Sequence, residues 1–157
     1  MRYCYFSSLL LLLLVARGCN KDNKALFKHS GIWEIQSMQL DYLNASGAVD
    51  STVSAGISGF FMFYNTPTEG SDQWYLSTNG MTVKGREHHS AHFWQAGGGE
   101  LRLVKAITQS IPDRSYTISD DKGDGMTLDY MGPAGDFYAS YLGKVKEHIV
   151  LHRIKFD

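Results

Sequence analysis

Apolar residues along this chain recur at every second position in short runs, and clusters of Gly, Asn and Asp separate the runs. A period of two marks strands with one buried and one wet face. The runs begin at Gly31 (GIWEIQSMQLDYL), Ile57 (ISGFFMFYN), Gln73 (QWYLST), Met81 (MTVKG), Glu87 (EHHSAHFWQ), Glu100 (ELRLVKAI), Arg114 (RSYTISD), Met126 (MTLDYM), Asp136 (DFYASYLGK) and His148 (HIVLHRIKF). They predict about 8–10 strands. Asn79-Gly80 suits a type I′ hairpin turn, in which both central residues need positive φ. The triple glycine at Gly97–Gly99 and the polar stretch Asp120–Gly125 mark two more hairpins. The longer stretch Asn44–Gly56 is expected to be a connection bordering one end, and only Lys24–Ser30 suggests a short helix. Consecutive strands joined this tightly form an up-and-down antiparallel meander, and closing it removes the two exposed edges. The expected fold is an all-β barrel.

The alternation also assigns faces. Trp33 and Ile35 point inward, with Glu34 and Gln36 outward; Ile149, Leu151 and Arg153 point inward, with His148, Val150 and His152 outward. Trp74 and Leu76, Leu101 and Leu103, Tyr116 and Ile118, and Met126, Leu128 and Tyr130 complete the inward set. Of these, Trp74, Tyr116, Met126 and Tyr130 are the candidate lining of a ligand cavity, since an eight-stranded barrel either fills with side chains or holds one small molecule. The run GFFMFY is apolar on both parities, so Phe60, Met62 and Tyr64 fall on the outer face opposite Phe61 and Phe63. Phe137–Leu142 behaves similarly. An apolar patch on an outer face marks a protein or membrane contact, which makes Phe60, Met62 and Tyr64 the candidate partner surface.

Composition narrows the classes. The formal net charge is −1 and no basic run occurs, so the electrostatic basis for nucleic-acid binding is missing. The two cysteines, Cys4 and Cys19, both lie near the N-terminus, which leaves no disulfide for the strands. Around them the chain reads Arg2, an apolar run of eight residues from Leu9 to Ala16, Gly18-Cys19 and then NKDNK. Such a run is shorter than the roughly 20 residues a membrane span needs. This order is similar to a bacterial lipoprotein signal. The resemblance implies a signal peptide at 1–18 that is cleaved, a lipidated Cys19 with a tether at 19–28, and a barrel domain at 29–157. Arg17 and Ala16 depart from the usual residues at their positions, and an ordinary secretory signal or an uncleaved anchor stand as alternatives.

Candidate chemistry is sparse. His88 and His92 share a strand face but sit roughly 13 Å apart at the usual rise, too far to chelate one ion, and His89 points away. Asp120–Gly125 has a calcium-loop flavour, yet Lys122 and Met131 stand where the EF-hand pattern needs oxygen ligands. Gly56–Gly59 is not a nucleophile elbow, which requires a strand-to-helix turn. No metal, cofactor or enzymatic activity is expected.

Gly31-Ile32-Trp33 at the start of the first strand and Arg153 in the last resemble the lipocalin-like (calycin) arrangement. That resemblance implies that Trp33 plugs the closed base of the barrel and Arg153 stacks on its indole. With the leader, the pattern is similar to small lipocalin-like lipoproteins of Bacteroidota envelopes, lipid-anchored in the outer membrane. Two functions stay open at this level: binding a small apolar or amphipathic molecule inside the barrel, or docking on another envelope protein through the outer aromatic face.

Overall fold

The computed structural model describes residues 28–67, 75–105, 113–134, 138 and 143–155. Among these residues nine strands form one antiparallel sheet: β1 Gly31–Leu43, β2 Val49–Val53, β3 Ile57–Pro67, β4 Tyr75–Val83, β5 Arg86–Gly97, β6 Glu100–Val104, β7 Arg114–Lys122, β8 Gly125–Pro133 and β9 Lys144–Ile154. From β3 onward each strand pairs with the next, and β9 returns to pair with β1 from Ile32↔Ile154 to Leu43↔Lys144. That last pairing closes an up-and-down meander into an eight-stranded barrel.

The ninth strand is one wall in two pieces. On the free edge of β1, β2 pairs with Leu40–Leu43 and β3 with Gly31–Glu34, in registers one residue apart. Between the pieces the chain bends at Ser54–Gly56, where Gly56 takes φ 68°. The sequence places a connection over Asn44–Gly56; β2 within it is a correction. Its residues Val49–Thr52 are all exposed, so no alternation betrays the strand.

A second correction concerns the hairpins. Asn79-Gly80 is not a turn but the middle of β4, with Asn79 opposite Phe61 and Ser90. The turn lies at Lys84-Gly85, where both residues have positive φ (50° and 74°), the type I′ geometry. Gly80 is needed for space: a Cβ there would stand 2.9 Å from the Phe60 ring, which lies across the glycine on the outer face. Joining the two runs also fixes the parity of β4. Ser77, Asn79, Met81 and Val83 turn inward and are buried, so Leu76, expected inside, is 41% exposed on the outer face. The hairpins at Gly97–Gly99 and Asp120–Gly125 form as expected.

Elsewhere the alternation matches the burial. Trp33, Ile35, Phe61, Phe63, Trp94, Leu101, Leu103, Tyr116, Met126, Leu128, Ile149 and Leu151 fill the core. Burying each large apolar side chain contributes about 1.5–3 kcal/mol. In β1 a bulge between Ile35 and Ser37 resets the parity, so Met38 and Leu40 continue the inner face. Phe61 and Tyr116, from walls on opposite sides of the sheet order, meet edge to face with centroids 6.4 Å apart.

Candidate binding site

The two ends of the barrel differ. At one end, where β1 begins and β9 finishes, the Arg153 guanidinium lies over the Trp33 ring, 4.6 Å from its centroid. Trp33 Nε1 donates to the His29 carbonyl at 2.8 Å, and Arg153 Nη2 donates to the Lys28 carbonyl. The chain entering β1 is thus fastened across this base. Beneath it, Lys28 Nζ pairs with Asp121 at 2.5 Å, and His29 Nε2 lies 3.7 Å from the same carboxylate. Burial lowers the His29 pKa from its ordinary value, against the pull of Asp121, so the imidazole is kept neutral. Gly31, at φ 121°, brings the backbone under Arg153.

The opposite end, where β7 and β9 begin, holds a charged cluster. Arg114 and Glu147 are buried and paired through Nη1 and Oε1. Tyr116 Oη donates to the other Glu147 oxygen at 3.0 Å, and Arg114 Nη2 donates to the Ala134 carbonyl at 2.6 Å. The guanidinium sits 4.4 Å over the Tyr130 ring and 5.5 Å from that of Tyr138. Burial raises the Glu147 pKa, opposed by Arg114. For Arg114, burial works against the charge, but Tyr116, Glu147 and the two other tyrosines outweigh it and keep the guanidinium protonated. Burial, followed by the neighbouring carboxylate, lifts the Tyr116 and Tyr138 hydroxyls well above the ordinary range, so both stay neutral, and Tyr116 donates to Glu147.

Facing inward from β4 and β5 is a polar ladder. Ser77, Asn79 and His92 are buried, and His88 and Ser90 half-buried, on the inner side of two adjacent strands. Asn79 Nδ2 donates weakly to Ser90 Oγ at 3.3 Å. Ser77 Oγ and Asn79 Oδ1 have no hydrogen-bond partner among the described residues. Turning the amide over would only exchange which end of Asn79 is left. Tyr138 links this wall to the charged cluster, since its ring meets His88 at 5.9 Å and Tyr42 at 6.5 Å.

Of the predicted lining, Tyr116, Met126 and Tyr130 are buried inside the barrel, with the two tyrosine rings tilted at 50° to each other and their centroids 5.5 Å apart; Trp74 lies outside the described residues. Arg114, Glu147, Ser77 and Asn79 are additions from the structure. Extending the inward parity back from Tyr116 to Arg114, and from Ile149 to Glu147, would have found the pair. The candidate partner residues Phe60, Met62 and Tyr64 lie on the outer face, Phe60 and Tyr64 at 38% and 39% exposure. Cys19 and the leader, like Phe137–Leu142 apart from Tyr138, lie outside the described residues.

A further polar grouping lies outside the barrel. On the outer surface Ser119 Oγ donates to Asp129, and His148 Nδ1 meets the other oxygen of that carboxylate at 2.6 Å. The acid thus sits between hydroxyl and imidazole, whereas nucleophile activation needs the imidazole next to the hydroxyl. Among the described residues no three His, Cys, Asp or Glu side chains could hold a metal ion, and no helix is long and apolar enough to cross a membrane. The chain matches no family model and no curated protein.

Proposed function

We propose that this chain is a lipocalin-like envelope lipoprotein, anchored in the outer membrane through lipid on Cys19, whose barrel binds one small amphipathic molecule and catalyses no reaction. The observation that carries the binding reading is the pair of buried oxygens on the inner wall, Ser77 Oγ and Asn79 Oδ1, that find no partner among the described residues. A core built only for stability replaces such groups with carbon, because each unsatisfied one costs about 1–3 kcal/mol. A ligand that donates hydrogen bonds to them and lays its apolar part on the neighbouring aromatic rings would remove that cost. The Gly31-x-Trp33 and Arg153 base and the leader support the lipocalin-like and lipoprotein parts.

The test is native mass spectrometry of the full-length protein extracted in mild detergent from its own membranes. A reproducible added mass beyond the acyl chains on Cys19 is expected, and its absence rejects the binding reading. Cys19→Ser is expected to release the protein from membranes; unchanged fractionation rejects the anchor.

The second reading, an accessory module docked on another envelope protein, draws on the half-exposed Phe60 and Tyr64. Co-migration with a larger polypeptide, without a small-molecule adduct, would favour it.

A further inference from the structure

The outer surface is unevenly apolar. Ile32 on β1 is paired on one side with Ile154 of β9 and on the other with Met62 of β3. Two residues beyond Met62 stands Tyr64, and Leu76 lies near the start of β4. Ile154, Tyr64 and Leu76 are 38%, 39% and 41% exposed. All five sit at the base end of the barrel, and an open groove of about 280 Å³ runs between Ser30–Ile32 and Met62–Asn65. The backbone here is rigidly held, since Trp94 Nε1 donates to the Tyr64 carbonyl at 2.9 Å.

The tether emerges at this same end. Residue 28 begins the described chain near the groove, and eight residues separate it from Cys19. Fully extended at about 3.6 Å per residue, that segment spans roughly 30 Å. The chain toward Cys19 therefore leaves the domain by the base end, and an acyl group there keeps that end within reach of the bilayer. We infer that the belt formed by Ile32, Ile154, Met62, Tyr64 and Leu76 seats on the lipid surface, so that the barrel stands base-down with its mouth away from the membrane. The inference rests on the lipoprotein reading.

The character of the belt fits a bilayer. Aliphatic side chains with one tyrosine match the boundary between acyl chains and headgroups, where an aromatic ring with a polar tip is favoured. Among the described residues at this rim Lys28 pairs with Asp121 at 2.5 Å and Lys155 with Asp124 at 2.6 Å, and Lys122 lies 3.7 Å from Asp120. Seating is thus driven by apolar contact and needs no anionic lipid.

The experiment places an environment-sensitive fluorophore on Leu76→Cys in the full-length protein, reconstituted into phosphatidylcholine vesicles containing nitroxide-labelled lipid. The control carries the same dye on Lys84→Cys in the turn at the other end. Intact mass of each preparation reads the lipid on Cys19 independently. The expected result is a blue shift and loss of most emission at position 76, none at position 84, and no change when salt is raised. An acylated protein whose position-76 dye remains in water overturns the docking and leaves the anchor standing. A protein without acyl mass on Cys19 overturns both. A blue shift that appears only with a co-purified polypeptide, and not in pure lipid vesicles, assigns the belt to a protein partner and also overturns the proposal.

Discussion

Arg114 and Glu147, 33 residues apart in sequence, form a charge pair sealed inside the barrel with side chains 2% and 0% exposed. Desolvating two charges costs several kcal/mol each, so such a pair persists only when the remaining hydrogen-bonding capacity is met. Here Tyr116 meets the second carboxylate oxygen, and the Ala134 carbonyl with the Tyr130 ring serves the guanidinium. Removing one partner strands the other. Arg114→Met is expected to destabilise the fold by about 3–5 kcal/mol, and adding Glu147→Leu to recover most of that loss. Urea unfolding of the two variants checks this; equal stability of single and double variants would show that the charges are not coupled.

At the base, Trp33→Ala removes a buried indole and is expected to cost about 3–5 kcal/mol. Arg153→Ala loses the stacking contact and the Lys28 carbonyl bond, a smaller effect of about 1–2 kcal/mol. A Trp33→Ala protein that melts like wild type would remove the base from the account of stability.

His29 and His92 both have pKa values lowered mainly by burial. The unfolded chain therefore binds these two protons more readily than the folded one. Their contribution is complete above the ordinary imidazole value of about 6.5 and declines as pH falls from there through the lowered values. His29→Asn with His92→Asn is expected to flatten that acid limb of stability against pH. An unchanged limb in the double variant would assign the acid sensitivity to other groups.

Ser77→Ala deletes a buried hydroxyl without a partner among the described residues. The ligand-free protein is expected to gain up to about 1 kcal/mol of stability. The same change weakens retention of the bound mass in native spectra. Retention equal to wild type would mean that this hydroxyl does not touch a ligand.

The β4–β5 turn gives a stabilising prediction. Lys84 holds a left-handed backbone at φ 50°, which costs an ordinary L-residue about 1–2 kcal/mol and asparagine less. Lys84→Asn is expected to raise stability by about 0.5–1 kcal/mol, measured by thermal unfolding.

Alternation made the barrel legible because one face of each strand is buried; Ile149, Leu151, Met126 and Leu128 all lie where their parity puts them. It failed where local signals had another cause. Asn79-Gly80 carries turn residues, but in β4 the glycine accommodates the Phe60 ring and the asparagine faces inward. The sequence VDSTV hides β2 because four of its five residues face solvent. The polar inner wall went unseen for a related reason: hydrophobic periodicity passes over strands whose inward residues are Ser, Asn and His. Arg114 and Glu147 were readable by parity, yet their meeting depends on β7 and β9 both flanking β8, a fact of register rather than of composition.

The contact between Phe61 and Tyr116 reaches across the barrel at mid-height, with both residues wholly buried and Trp33, Phe63 and Trp94 packed on the base side. An eight-stranded barrel is only wide enough for side chains or one small ligand, so these rings bridge the interior between β3 and β7, with Asn79 and Ser77 on β4 facing inward beside Phe61 and Phe63. Among the described residues the barrel is thus bridged across its interior, the form of a closed vessel and not of a conduit. Under the binding proposal such a vessel would hold or present its cargo, and traffic across a membrane would belong to another molecule.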